Sequence, residues 1–250
     1  MTAPALQVED LHKRFDAVIA AEALSVAVPA GVVWSLIGSN GAGKTTFVNM
    51  VTGYIKPDRG TITFDGRDIT SLTPREITRL GMRRSFQIPQ LCAELTVLEN
   101  MLVSCAINQE RKPSYWRPAT SKDDVEKAME ILARFRIADS RDQLMAELSG
   151  GVRKLLDIAM ALYGNPKVML LDEPTSGVAA EEKYPIMDRV MEALSAEKVT
   201  TLFVEHDMDI VARYSERVLA FYDGRIIAND APDEVLRDEQ VQRYVTGTVK

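Results

Sequence analysis

The stretch Gly38-Ser39-Asn40-Gly41-Ala42-Gly43-Lys44-Thr45-Thr46 constrains this chain more than any other part of it. It fits the pattern G-x-x-x-x-G-K-[ST], and its flanks fit as well. Val32-Val33-Trp34-Ser35-Leu36-Ile37 reads as a buried strand running straight into the glycines. Phe47-Val48-Asn49-Met50-Val51 reads as the helix that leaves them. In that setting the glycines let successive backbone N–H groups turn toward one point, and the helix N-terminus adds positive partial charge there. Lys44 then reaches the outer phosphates, and the Thr45 hydroxyl is placed to ligate Mg²⁺. The alternative, a glycine turn with a solvated lysine, is disfavoured by the strand before and the helix after. A nucleoside-triphosphate site is expected, and with it a sheet to hold the loop.

The rest of the chain supplies that sheet. Leu6–Leu11 and Leu24–Val28 read as strands, with Pro29-Ala30-Gly31 as a turn and His12–Phe15 as a loop-like segment between them. Phe15 there suits either the core or a stack on an adenine face. Thr61–Phe64 with the Asp65-Gly66 turn suggests a hairpin. Thr73-Pro74-Arg75-Glu76 is a capping box with proline at the first helical position, and Gly81 ends that helix. Ser85–Gln90 is extended before a proline. From 91 to 164 the period becomes helical. Val125, Ala128, Met129, Leu132 and Phe135 share one face behind the Ser121/Asp124 cap, and Leu155, Leu156, Ile158, Ala159 and Leu162 form a second stripe. A polar loop with two prolines is expected over 109–118, with Trp116 as a local anchor. Strands resume at Val168–Leu171, four consecutive apolar residues as in a strand buried on both faces, and at Thr201–Val204, another buried strand. Between them lies a helix carrying Ile186, Val190 and Leu194, with Pro185 in its first turn. A hairpin over 218–228 and short helices near 232–245 finish an α/β chain with an inserted helical lobe.

Two strand ends carry acids and a histidine. Open α/β sheets bind ligands at the carboxyl ends of their strands, so Asp172 and Glu173 are expected to share a crevice with Lys44. Asp172 suits the Mg²⁺ shell, and Glu173 is placed to orient or deprotonate a water. His206 ends the next strand and could hydrogen-bond the γ-phosphate and that water. Leu148-Ser149-Gly150-Gly151 precedes a helix, either as a plain cap or as a second anion-binding surface.

Composition narrows the class. A net charge of −6 and a pI near 5.2 argue against nucleic acid held by bulk charge. No apolar run approaches the ~20 residues that span a bilayer, and Met1–Ala5 has neither the basic start nor the apolar core of a secretory signal. Cys92 and Cys105 match no metal motif and suit a reducing cytosol. With His12 and His206 alone, a multi-histidine metal site is not expected.

The ordered set of phosphate loop, Leu148–Gly151, Asp172-Glu173 and His206 resembles an ABC-transporter ATPase subunit over essentially the whole chain. The resemblance implies an α/β fold: a P-loop (RecA-like) core with an antiparallel β subdomain and an inserted α-helical subdomain. In a single domain of 250 residues, 1–87 and 166–250 would form the nucleotide-binding core and 88–165 the helical subdomain. It implies ATP and Mg²⁺ as cofactors. Gly38, Ser39, Asn40, Gly41, Ala42, Gly43, Lys44, Thr45 and Thr46 would hold the phosphates, Phe15 the adenine, and Thr45, Asp172 and Gln87 the metal. Glu173 would be the catalytic base, helped by His206, Lys44 and Gln87. Two subunits would pair head to tail, Ser149, Gly150 and Gly151 of each facing the nucleotide of the other, which gives the second anion site a purpose. Transmembrane permease subunits would dock on the helical lobe at the cytoplasmic face of the inner membrane, with an extracytoplasmic solute-binding protein as an indirect partner and no nucleic acid.

Within the family, Val204-Glu205-His206-Asp207-Met208, the insertion near 106–120 and Asp230–Val235 are most similar to branched-chain amino-acid importer ATPases. Lipopolysaccharide-exporter ATPases share much of the pattern, and a soluble ABC ATPase acting on nucleic acid is the more distant alternative. Two departures stand out. Val152 replaces the glutamine usual after Leu-Ser-Gly-Gly, and Ser176–Ala180 lacks the family's dimer-loop aspartate. The first implies altered closure and the second altered communication between sites.

Overall fold

The computed structural model describes residues 4–87, 90–108 and 120–247. The loop expected over 109–118 with Trp116, and the Ile88-Pro89 step, lie outside them. In chain order the elements are β1 (Leu6–Phe15), β2 (Val18–Val28), β3 (Val33–Gly38), α1 (Lys44–Val51), β4 (Arg59–Phe64), β5 (Arg67–Asp68), α2 (Pro74–Leu80), β6 (Met82–Ser85), α3 (Val97–Asn108), α4 (Lys122–Arg134), α5 (Gly150–Leu162), β7 (Val168–Asp172), α6 (Lys183–Ala196), β8 (Thr200–Val204), α7 (Met208–Tyr214), β9 (Arg217–Tyr222), β10 (Arg225–Asp230), α8 (Pro232–Arg237) and α9 (Glu239–Val241). They build two sheets, an antiparallel one of order β2-β1-β4-β5 and a second of order β10-β9-β3-β8-β7-β6. In the second sheet every neighbouring pair is parallel except β9 with the edge strand β10.

Strands β3, β7, β8 and β9 are largely apolar because each feeds two cores, whereas the edge strand β6 carries Arg83, Arg84 and Ser85. Ile37, Met169, Leu171, Phe203, Val218 and Ala220 point into one core, which also takes the buried faces of α3 to α6. Trp34, Leu36, Leu170, Leu202, Val204 and Phe221 point into the other, shared with α1 and the antiparallel sheet. Side chains alternate along a strand, so Leu202 and Phe203, adjacent in sequence, serve opposite layers. Phe203 is fully buried in β8, an interior strand of the parallel sheet. Phe203→Ala is expected to cost about 3–5 kcal/mol, read as a lowered urea midpoint with little change in slope.

The helix caps form as the residues dictate. Thr73 and Ser121 each accept from the backbone N–H three residues on, while Glu76 and Asp124 reach back. Two local expectations are corrected. His12–Phe15 belong to β1 and form no loop, because Phe15 pairs with Val18 across a tight turn. Register shifts along the ladder, with Asp10 and Ala23 at φ 50° and 51°, interrupt the alternation that a strand should show in sequence. And α1 begins at Lys44, immediately after the last glycine of the loop, rather than at Phe47.

Candidate active site

Strand order decides what meets. β8 lies between β3 and β7 and runs parallel to both, so the residues after Gly38, Asp172 and Val204 emerge along one edge of the sheet. Two glycines make the first of these exits possible. Gly38 and Gly43 have φ 155° and 106°, and a Cβ on either would lie 2.6 Å from a backbone oxygen, that of Phe221 or Ala20 respectively. Lys44 is 6% exposed. Its Nζ donates to the carbonyls of Gly38 (2.6 Å) and Ser39 (3.1 Å). Burial holds its pKa below the usual lysine value, against the opposing fields of Glu173 and Asp172. Ser39, Asn40, Gly41 and Thr45 are exposed, Thr46 is half-buried, and Ala42 is buried against the sheet.

Glu173 has the left-handed backbone at φ 48°, and its N–H donates to Val204 O at 3.0 Å, tying the exit of β7 to that of β8. Its carboxylate is held from two sides. Gln87 Nε2 donates to Oε2 at 2.7 Å, and His206 Nε2 lies 3.2 Å from Oε1. Gln87, Glu173 and His206, far apart in sequence, are thus brought together. Glu173, Thr175, Ser176, Gly177, Lys183 and His206 help line a cleft of about 560 Å³. Asp172 sits just behind, its Oδ2 accepting from Arg84 Nη2 at 2.6 Å.

Phe15 is 44% exposed at the end of β1, with Lys13 Nζ 5.6 Å from its ring centre. It is available at the surface rather than packed in either core. Ser149 caps α5 by accepting from Val152 N. A Cβ on Gly150 would lie 3.0 Å from Gly177 O, while one on Gly151 would meet Ile186. No hydrogen bond or ion pair among the described residues joins Ser149, Gly150 or Gly151 to the loop around Lys44.

Several site-building residues were not foreseen from sequence. Glu205, 4% exposed, accepts from Thr175 N and Oγ1 and from the N–H groups of His206 and Asp207, which sets the turn that presents His206. Lys183 pairs with Asp207 at 2.8 Å, linking the start of α6 to the residue after His206. Lys154, 2% exposed, donates to the carbonyls of Phe86 (2.8 Å), Gln87 (3.4 Å) and Asp172 (3.3 Å). Asp157, one turn along α5, accepts from Ser85 Oγ at 2.5 Å. Burial lowers the Lys154 pKa and raises that of Asp157, each charge opposing the other's shift. The signal was present: a lysine and an aspartate three apart inside an otherwise apolar helical stripe need buried partners.

A glycine-rich G-x-x-x-x-G-K-T loop at the head of a parallel strand, with acid and histidine delivered by the next two strands, places the molecule among the P-loop nucleoside triphosphatases. The family is narrower than that class. Residues 21–176 match the model of the ABC transporter family, and the chain belongs to it as an ATP-binding, ATP-hydrolysing cassette. It is 38% identical to the "probable branched-chain amino acid transport ATP-binding protein LivG" of Methanocaldococcus jannaschii, the match covering 97% of each chain. It is 32% identical to the "high-affinity branched-chain amino acid transport ATP-binding protein LivG" of Salmonella typhimurium over 99% of each. Among solved structures, an ADP-bound ATP-binding cassette of an ABC transporter is 36% identical, with a TM-score of 0.86 over 97% of this chain and 98% of that one. A nucleotide-free cassette superposes with a TM-score of 0.84 at 37% identity, over 95% and 96%. No helix among the described residues is long and apolar enough to cross a membrane.

Proposed function

We propose that this ATPase energises the import of branched-chain amino acids or related small solutes, acting as a peripheral subunit at the cytoplasmic face of the inner membrane. The named function of the relatives supports the substrate class, and these relatives do not favour the exporter or nucleic-acid readings. The observation that carries the catalytic reading is the Glu173 carboxylate, held between Gln87 and His206 at the strand ends beside Lys44.

In this reading Glu173 takes the proton of the attacking water, and His206 and Gln87 orient the base and the water. Lys44 leaves the carbonyls of Gly38 and Ser39 for the outer phosphates, which the backbone of residues 38–46 cradles, and Phe15 stacks on the adenine. Thr45, Asp172 and Gln87 offer oxygen donors, and among the described residues no group of three or more His, Cys, Asp or Glu side chains competes as a metal site. That sparse, hard donor set fits Mg²⁺, which keeps waters and phosphate oxygens as its remaining ligands. Bound there, the ion would neutralise charge on the β- and γ-phosphates. Ser149, Gly150 and Gly151, exposed or at a helix start and unconnected to their own loop, serve the nucleotide of a second ATPase subunit.

The core is assigned to 1–87 and 166–250 and the docking lobe to 88–165. A second cleft, about 290 Å³, lies between the two parts, with Tyr54, Arg83 and Phe86 on one wall and Ile107 and Met160 on the other. Tyr54 and Ile107 are 55% and 69% exposed, so both walls of the cleft offer apolar surface to a permease segment. Purification from detergent-solubilised membranes of the native host tests the whole reading. Permease subunits are expected to co-purify, with ATP hydrolysis stimulated by a solute-loaded binding protein. Recovery with nucleic acid, or with an export complex, would overturn it.

A further inference from the structure

Arg84 lines the second cleft and pairs with Asp172, the residue before Glu173, and the catalytic reading gives it no task. It lies on β6, at the edge of the parallel sheet. Nη2 donates to Asp172 Oδ2 at 2.6 Å, and Nη1 donates to Asn49 Oδ1, also at 2.6 Å, on the helix α1 that carries Thr45. The pair is largely out of solvent, with side-chain exposures of 9% for Arg84 and 15% for Asp172. The flat guanidinium is backed by two aromatic rings, its central carbon lying 5.0 Å from the ring centre of Phe86 and 5.9 Å from that of Tyr54. Those rings meet edge to face at 6.1 Å. Both line the second cleft, where Tyr54 is more than half exposed. One side chain therefore has its charge on the proposed metal carboxylate and its face against the wall of the proposed docking groove.

We propose that Arg84 is a positioning counter-ion that couples the two: held by Tyr54 and Phe86, it neutralises Asp172 and weakens the divalent-cation site, and a segment that disturbs those rings releases the carboxylate to the metal. The inference rests on the reading of Asp172 as part of the Mg²⁺ shell. The charge argument is direct. A cation in contact with a carboxylate stabilises its anionic form and competes with any second cation for it, most strongly where water is excluded. Arg84 already occupies Oδ2, so a metal and its waters must share what remains. The coupling is reciprocal, as any linkage between two sites must be. If a partner on the Tyr54 wall raises cation affinity, bound cation raises affinity for that partner.

The test is a Mg²⁺ titration of fluorescent ATP-analogue binding to the full chain, read as the free Mg²⁺ at half-saturation and independent of turnover. Arg84→Met keeps much of the side-chain volume and removes the charge, and it should lower the half-saturating Mg²⁺ by roughly tenfold. Arg84→Lys keeps the charge and should stay near wild type. Tyr54→Ala, at an exposed position that leaves both cores intact, should shift the curve the same way by roughly threefold, and that shift should vanish in the Arg84→Met background, as a coupled pair requires. A purely structural arginine predicts the opposite sign, since a disordered site binds metal more weakly. Arg84→Met at or above the wild-type value, Arg84→Lys behaving like Arg84→Met, or a Tyr54→Ala shift that persists without Arg84 would each overturn the proposal. A wild-type curve with no Mg²⁺ dependence would instead remove the metal reading and this one with it.

Discussion

Glu173→Gln is expected to bind ATP as the wild type does and to lose steady-state hydrolysis by about two to four orders of magnitude, the usual worth of a positioned general base. The substitution is nearly isosteric, and the left-handed backbone at φ 48° is no worse for glutamine than for glutamate. One side-chain oxygen remains to accept from Gln87 Nε2, so the cleft should keep its shape. What disappears is the anionic oxygen 3.2 Å from His206 Nε2, the group able to take a proton from water. The variant should also build up an ATP-bound pair of subunits, because hydrolysis no longer ends that state. Phosphate release and size-exclusion chromatography with ATP check the two halves separately. Near-normal turnover would remove Glu173 from the base role, and a monomer at saturating ATP would remove Ser149 from the partner's nucleotide.

What could be read in advance follows the range over which each feature is determined. The glycine loop, the apolar runs of β7 and β8 and the capping boxes at Thr73 and Ser121 depend on neighbours within a few residues, and a linear pattern records such neighbours directly. The gathering of Asp172, Glu173 and His206 was also legible, because one rule about strand ends converts sequence position into spatial position. The supporting contacts were not. Arg84 finds Asp172 across 88 positions, Lys154 finds Phe86 across 68, and Thr175 finds Glu205 across 30. Those partners exist only once the order β8-β7-β6 is known, and no local pattern encodes strand order. The β1–β2 hairpin failed for a different reason. Its bulges break the period of two, so a ten-residue strand looked like a six-residue one followed by a loop.

Lys44→Ala is expected to fold and to bind ATP about 10- to 100-fold more weakly, the equivalent of losing one charge-assisted interaction worth about 1.5–3 kcal/mol. Removal of a 6%-exposed ammonium carries little stability penalty of its own, since burying that charge was itself costly. The carbonyls of Gly38 and Ser39 lose a donor but lie beside exposed loop residues where water can replace it. The pH dependence separates a phosphate-binding lysine from a structural one. Burial lowers the Lys44 pKa below 10.5, and Asp172 and Glu173 only partly restore it. The ammonium is the form that attracts phosphate, so wild-type affinity should be full below that lowered pKa and decline as pH rises through it, earlier than for a solvated lysine. The alanine variant has no such group and should lack that alkaline limb. Nucleotide binding by calorimetry across the alkaline range reads both effects. Equal affinity in the two proteins, or the same alkaline decline in both, would take Lys44 out of the phosphate site and leave the loop with only a structural part in the sheet.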